Sequence, residues 1–291
     1  MSARGTRGGW AWTAALLLAA CPRGGTKAAG GNEAPSVDGQ PESASPNRRV
    51  SRPGAGTIVG ITVRQATPAA VVEDAFTALD AAEARYSEWN PESMTSRAAR
   101  GTPQALDEGG VLLFKTAFTL GMLSGGAFNI GHGGTAWFTQ ADTLTVEGAG
   151  LDLGGLLKGF LADRAADALR GAGVTDFAVD AGGDVVVGGS LLPGGDGWPA
   201  DVVLAGRVAT VTVTQALSTS SQEQQPGHVV DGRTGLAATG LAGVYVTAPT
   251  GLLADGQATA LLASGGAMAL LPGSCAVLVN RDSPSTRRCA E

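Results

Sequence analysis

Two neighbouring stretches, Leu151-Asp-Leu-Gly-Gly-Leu-Leu-Lys158-Gly-Phe-Leu-Ala-Asp163-Arg-Ala165 and Val179-Asp-Ala-Gly-Gly-Asp184, set the reading of this chain. From Leu156 onward the apolar residues Leu156, Leu157, Phe160, Leu161, Ala165, Ala168 and Leu169 recur at helical spacing. Gly171 and Gly173 fall where such a helix ends and left-handed backbone is needed. Gly154 and Gly155 sit at its start, where unsatisfied N–H groups and the positive end of the helix dipole favour anions. Lys158 lies one turn in, and the chain has only two other lysines, Lys27 and Lys115. The plain reading of Lys158 is a solvated helix lysine. Beside a glycine turn, and with a second glycine turn ending in Asp184, it reads better as part of a site for a phosphate. The pattern G-x-x-x-x-G-K-[ST] occurs nowhere, so a P-loop NTPase is not supported.

Working outward, 291 residues suffice for one large or two small domains with a real core. The 45 glycines predict many tight turns, and a net charge of −6 without a basic cluster argues against a nucleic-acid partner. Arg4 and Arg7 precede an apolar run, Trp10 to Ala20, that is too short to span a bilayer and reads as an export signal over residues 1–20. Leu18-Ala-Ala-Cys21 resembles a bacterial lipobox, in which Cys21 would be lipidated after cleavage; an ordinary secretory signal with a chance cysteine is the other reading. Either way the mature protein is expected outside the cytoplasm, and with the lipid it is membrane-anchored, on the periplasmic side if the cell is Gram-negative. Residues 21–54, rich in Gly, Pro and Ser, suit a disordered tether, which leaves 55–291 as the folded domain. Cys275 and Cys289 can pair in an oxidising compartment, but sequence does not fix their distance.

Within that domain Thr57 to Arg64 alternates as a strand, and Thr67-Pro68 starts a helix with Pro at its first position. A loop with two aromatic rings runs from Arg85 to Ser93, and a second helix spans Gly109 to Ser124. Strands follow between Val202 and Leu217 and over Leu241 to Ala248. Thr250 caps a helix from about Gly251 to Ser264, and Cys275 to Asn280 reads as the last strand. Strands and helices mix without strict alternation, so the fold class is α+β, with mixed, mostly antiparallel sheets and packed helices in a single domain.

Two further clusters bear chemistry. Asp255 and Thr259 share a helix face four residues apart, a hard-oxygen half-site for Mg²⁺, which takes one or two carboxylates plus substrate phosphates. The segment His228-Val-Val-Asp231-Gly-Arg233-Thr-Gly235 gathers a titrating base, an acid and a guanidinium; a surface turn closed by an Asp231–Arg233 pair is the plainer alternative. With two histidines in the chain, His228 leads for proton transfer.

Taken in order, Leu151-Asp-Leu-Gly-Gly-Leu-Leu-Lys-Gly, Gly182-Gly-Asp184, Thr219-Ser220, His228-Val-Val-Asp-Gly-Arg-Thr-Gly and Ala254-Asp-Gly-Gln-Ala-Thr259 resemble the ApbE family, the FAD:protein FMN transferases. The loop with Tyr86, Ser87, Trp89, Pro91 and Ser93 is similar to the family's flavin-side segment, and Ala127-Phe128-Asn129 stands where the family shows Ala-Phe-Asp. The resemblance implies binding of FAD with Mg²⁺ and transfer of its FMN half to a Ser or Thr hydroxyl of a target protein, with release of AMP. By position it implies that Asp255, Thr259 and the Gly155 carbonyl ligate the metal. It likewise implies that Trp89, Ala127, Phe128, Asn129, Asp152, Lys158 and Val229 contact FAD. No copy of the family's Thr-containing acceptor motif stands out, so exported proteins other than this chain would be the acceptors.

The chain departs from the family pattern at several points. Asn129-Ile-Gly-His-Gly-Gly replaces Asp-Pro-Thr-Val-Gly and loses an acid. Ala55 stands where methionine is usual, Gly232 replaces a proline, and Ser221-Gln222 follows Thr219-Ser220 where glycine is usual, with a short segment before His228. A glycine at 232 predicts a freer His228 loop. The alternatives to a transferase are an FAD pyrophosphatase that uses water at the same site and an FAD-binding lipoprotein without turnover.

Overall fold

A hairpin of β1 (Asn47–Gly54) and β2 (Thr57–Arg64) opens the computed structural model, which describes residues 46–131, 135–148, 150–223, 226–280 and 284–290. Cys21, the export signal and most of the expected tether lie outside the described residues. The tether's far boundary is corrected, because Asn47–Gly54 pairs along its whole length with β2. Its polar composition belongs to an edge strand, where charges are the rule. Arg49 reaches Asp180 at 2.9 Å, and Arg52 pairs with Asp80 on the next helix. In β2 the expected alternation holds, with Val59, Ile61 and Val63 fully buried on one face.

The chain continues through α1 (Ala69–Tyr86), α2 (Met94–Ala99), β3 (Gln104–Ala105), α3 (Glu108–Leu123), β4 (Ala136–Gln140), β5 (Thr143–Glu147) and α4 (Leu157–Gly171). Then come β6 (Phe177–Ala181), β7 (Val185–Gly188), β8 (Trp198–Leu204), β9 (Arg207–Val213), β10 (Ala216–Ser221), β11 (Val230–Asp231), β12 (Leu236–Ala237), β13 (Gly243–Ala248), α5 (Gly251–Ala263), β14 (Cys275–Val279) and β15 (Thr286–Cys289). Pro68 occupies the N-cap of α1 rather than its first helical position, and Asp107 caps α3 by accepting from the Gly110 amide. Thr250 caps α5 as its sequence predicts, accepting from the Leu253 amide. Cys275 to Val279 is not the last strand: β15 follows, and the Cys275–Cys289 disulfide ties it to β14.

Eight strands form one antiparallel sheet in the order β1-β2-β6-β7-β10-β13-β14-β15. Period-two alternation gives the sheet two faces. Val179, Val186, Ala216, Val244 and Ala276 join the core under α1, α4 and α5, while Ala178, Val185, Val187 and Leu217 pack on the other side against Trp198, Ala200 and Val202 of the β8–β9 hairpin. The result is an α+β domain with helices on one face of the sheet and a hairpin on the other.

The junction of α4 and α5 places the site. Gly159 and Gly251 meet backbone to backbone: a Cβ at 159 would run into the Gly251 carbonyl and stand 2.8 Å from the Asp255 Cβ. Each helix then caps the other. The Asp255 carboxylate of α5 accepts from the Gly159 amide at 3.0 Å, in the first turn of α4. The Asp163 carboxylate of α4 accepts from the Gly251 and Leu252 amides at 2.7 and 2.9 Å, in the first turn of α5. Two amino-terminal orphan sets are thereby satisfied by carboxylates, which the positive ends of both helices favour.

Candidate functional site

Across this junction lies a cavity of about 430 Å³ with a charged floor. The tight turn Gly182-Gly183, with φ of +66° and +102°, delivers Asp184 at the mouth of β7. Lys158 of α4 places its Nζ 2.5 Å from Asp184 and 3.7 Å from Asp255. Both carboxylates are buried, at 1% and 2% exposure, so one ammonium serves two acids. Burial works against the Lys158 charge, but Asp184 and then Asp255 outweigh it and hold the amine above its ordinary pKa. Burial pushes the Asp255 carboxyl up, Asp184 adds to the push, and Lys158 opposes both. The solvated-lysine reading of Lys158 is thereby set aside.

Strand β10 completes the floor with hydroxyls. Ala216, Ser218 and Ser220 share the helix-facing side of the sheet, where an apolar strand would carry valines. The Ser218 hydroxyl donates to Asp184, and Ser220 and Thr259 share a hydrogen bond of 3.2 Å. Gly155 comes close to Thr259, since a Cβ at 155 would stand 2.8 Å from the threonine methyl. The sequence places Asp184 beside Lys158 and Ser220 only inside a motif, while Ser218 carries no role there. The signal for the serines is their alternation on an otherwise apolar strand face.

The walls come from three loops. Trp89, 83% exposed, stands at one side after the C-terminus of α1, with Glu88 beneath it. Burial pushes the Glu88 carboxyl up to about 7, with the nearby Asp152 contributing. After α3, Ala127 and Phe128 are buried in the wall while Asn129 is exposed, its Oδ1 accepting from the Gly131 amide. The Asp152 side chain accepts from the Gly154 amide at 2.8 Å. His228, exposed, and Val229, buried, close the rim. The residues that the resemblance assigned to metal, FAD and proton transfer, from Trp89 and Gly155 to His228 and Thr259, line this one cavity, while Asp184 stands behind it against Lys158.

Two expectations are corrected. The amino end of α4 does not offer a row of open N–H groups, because the amides of Gly154, Leu156, Leu157 and Gly159 already bond to Asp152, Leu153, Leu153 and Asp255. An anion here meets side-chain charge instead. In the His228 segment Asp231 and Arg233 pair with each other at 2.6 Å, the plainer alternative, and neither lines the cavity. Nor is that loop freed by Gly232: its amide donates to the Ala127 carbonyl at 2.9 Å, a bond a proline could not make.

Among the described residues no group of three or more His, Cys, Asp or Glu converges on a point. The cavity floor nevertheless collects only oxygen donors and one ammonium.

The ApbE family model matches residues 134–274. No curated protein sequence matches the chain. Among solved structures, the chain is similar to the flavin transferase ApbE from Vibrio cholerae, with a TM-score of 0.72 at 20% identity over 84% of this chain and 97% of that one. It is also similar to the flavinyl transferase ApbE of Pseudomonas stutzeri in its apo form, at a TM-score of 0.71 and 19% identity over 84% and 94% of the two chains. The ApbE protein from Thermotoga maritima gives 0.70 at 20% identity over 83% and 96%. The fold is thus that of the ApbE proteins.

Proposed function

We propose that this chain is an FAD:protein FMN transferase, moving the FMN half of FAD to a Ser or Thr hydroxyl of an exported acceptor protein and releasing AMP. The observation that carries the reading is the Lys158 ammonium shared by Asp184 and Asp255 at the floor of a cavity walled by Trp89 and Phe128. A diphosphate needs charge on its leaving oxygens offset, and a planar ring needs an apolar, partly aromatic wall. Here both lie in one cleft. The acceptor oxygen forms a bond to the FMN phosphorus, the bond from that phosphorus to the bridging oxygen breaks, and AMP leaves with the bridging oxygen. His228 at the rim takes the hydroxyl proton.

The oxygen donors fit a hard divalent cation better than a soft one. Asp255, Thr259 and the Gly155 carbonyl would hold Mg²⁺, which would supply Lewis-acid charge to the diphosphate. Lys158 holds the two acids in place and donates to the phosphate oxygens. Trp89 stacks on a planar ring of FAD, and Ala127, Phe128, Asn129, Asp152 and Val229 shape the rest of its bed.

The test incubates the full chain with FAD, Mg²⁺ and a flavin-acceptor protein. Covalently fluorescent acceptor with stoichiometric AMP is expected, and Asp255→Ala should abolish it. FMN and AMP without labelling would identify a pyrophosphatase instead, and stable FAD uptake with no product a binding protein. No helix among the described residues is long and apolar enough to cross a membrane. We further propose attachment through a lipid on Cys21; membrane fractionation unchanged by Cys21→Ser would overturn it.

A further inference from the structure

We propose that Gln222 is the positioning residue of the catalytic loop, fixing His228 by holding the backbone on both sides of it. This rests on the reading above that His228 accepts the acceptor's proton. Gln222 follows β10, which pairs along all six of its residues with β13, so its backbone is tied to the central sheet. Its side chain is buried, at 6% exposure, and both ends of its amide are used. Oε1 accepts from the Gly227 amide at 2.8 Å; Nε2 donates to the Val229 carbonyl at 2.5 Å and, at 3.4 Å, to the Ala238 carbonyl. Gly227 and Val229 are the residues flanking His228.

The chemistry asks for this residue type. One end must accept from an N–H while the other donates to a carbonyl, and among side chains of this length only the glutamine amide does both. Rotating the amide by half a turn would set NH₂ against the Gly227 N–H and oxygen against the Val229 carbonyl, so its orientation is fixed by its partners. A carboxylate keeps the first bond and sets a second oxygen against Val229, and methionine loses both. The Ala238 amide also donates to the Val229 carbonyl, and the Gly232 amide to Ala127. The far side of the loop is therefore pinned by these backbone bonds together with Gln222, and Gln222 also takes the Gly227 amide on the near side. The departures from the ApbE pattern at 221–222 and 232 then compensate one another. A short His228 segment without its proline is held by an amide side chain and a glycine N–H instead.

The experiment measures FAD-dependent labelling of an acceptor protein by the full chain carrying Gln222→Met, Gln222→Glu, His228→Asn, or Gln222→Met with His228→Asn. It is paired with the ¹H–¹³C imidazole resonance of His228, identified by its loss in His228→Asn, and with thermal melting. Loosening a positioned group by about 1 Å can cost on the order of 100-fold, so both Gln222 variants should lose roughly 10- to 100-fold in kcat with KM for FAD within about twofold. The His228 resonance should broaden or split, and the double variant should be no slower than His228→Asn alone. Labelling by folded Gln222→Met or Gln222→Glu at the wild-type kcat, while His228→Asn is inactive, overturns the positioning role and leaves the transferase reading standing. So does a further loss in the double variant, which would place Gln222 on a path independent of His228. Full activity of His228→Asn would overturn the base assignment itself, and the Gln222 proposal with it. If Gln222→Met does not fold, Gln222→Glu decides alone, since it keeps the Gly227 bond.

Discussion

Replacing Asp163 should weaken the domain and dislocate the cleft in one step. Its carboxylate is buried and takes the first two amides of α5, so Asp163→Ala orphans the Gly251 and Leu252 N–H groups where water cannot reach them. Each stranded donor costs about 1–3 kcal/mol, which puts the alanine variant roughly 2–6 kcal/mol below the wild type, and Asp163→Asn, which keeps one acceptor, about half as far. Asp163 also carries a pH signature. Burial pushes its carboxyl from 3.8 up to about 6 against the pull of the two amides. A folded pKa above the unfolded one means that the folded state binds more protons between those values. This contribution is therefore whole below pH 4 and is lost as pH rises through 6. The loss is of order 3 kcal/mol, since each tenfold change in proton affinity is worth about 1.4 kcal/mol. Urea unfolding of wild type and Asp163→Asn from pH 4.5 to 7.5 isolates it, because the other buried acids are common to both proteins. The gap between the two should narrow as pH rises. An alanine variant within about 0.5 kcal/mol of wild type at pH 7 would refute the capping argument. A gap independent of pH would refute the burial argument.

Gly159→Ala should separate α4 from α5, because the new Cβ would overlap the Gly251 carbonyl. A loss of about 1–3 kcal/mol in chemical unfolding, with weaker Mg²⁺-dependent uptake of FAD by calorimetry, is expected. Glu88→Gln should be more stable than the wild type above pH 7 and not below pH 4.5, since burial raises the Glu88 carboxyl to about 7 and the wild type loses stability as pH climbs through that value; melting curves across pH 4–8 test it. Opening the Cys275–Cys289 disulfide by Cys289→Ser should cost about 3 kcal/mol for a loop of this length while leaving flavin transfer intact, because β14 and β15 lie at the sheet edge away from the cleft.

How much of this was legible in the sequence follows from the range of the interactions. The helix at 157–171, the left-handed Gly173 just beyond it and the cap of α5 by Thr250 are written locally and read correctly, while Gly171, expected beside Gly173 at the stop, is the last helical residue. β1 escaped because an edge strand needs no apolar face, and its charged residues, paired with α1 and β6, read as tether. β15 escaped for a related reason, as its four residues are tied to β14 by a disulfide and by pairing that no local pattern announces. The residues that line the cavity could be grouped in advance because their motifs stand in order along the chain. Their partnerships could not be, since Asp163 reaches α5 across 88 residues and Gln222 seats a loop through one amide.

The same reciprocity explains how the cleft divides its labour. A helix terminus has one set of orphan amides, and here α4 has lent a capping amide, Gly159, to Asp255, while α5 gives two of its own to Asp163. Those dipoles fix the two helices against each other rather than gripping a ligand. Charge for an incoming diphosphate must then come from groups able to change partners. Lys158 is such a group, one third exposed and shared between Asp184 and Asp255. A divalent cation taking Asp255 would release part of the ammonium's hold on that acid and turn its protons toward phosphate. Metal and FAD are accordingly expected to bind with positive coupling. Calorimetry of FAD with and without Mg²⁺ would show it as a tighter Kd in the presence of the ion, and equal Kd values would break the argument.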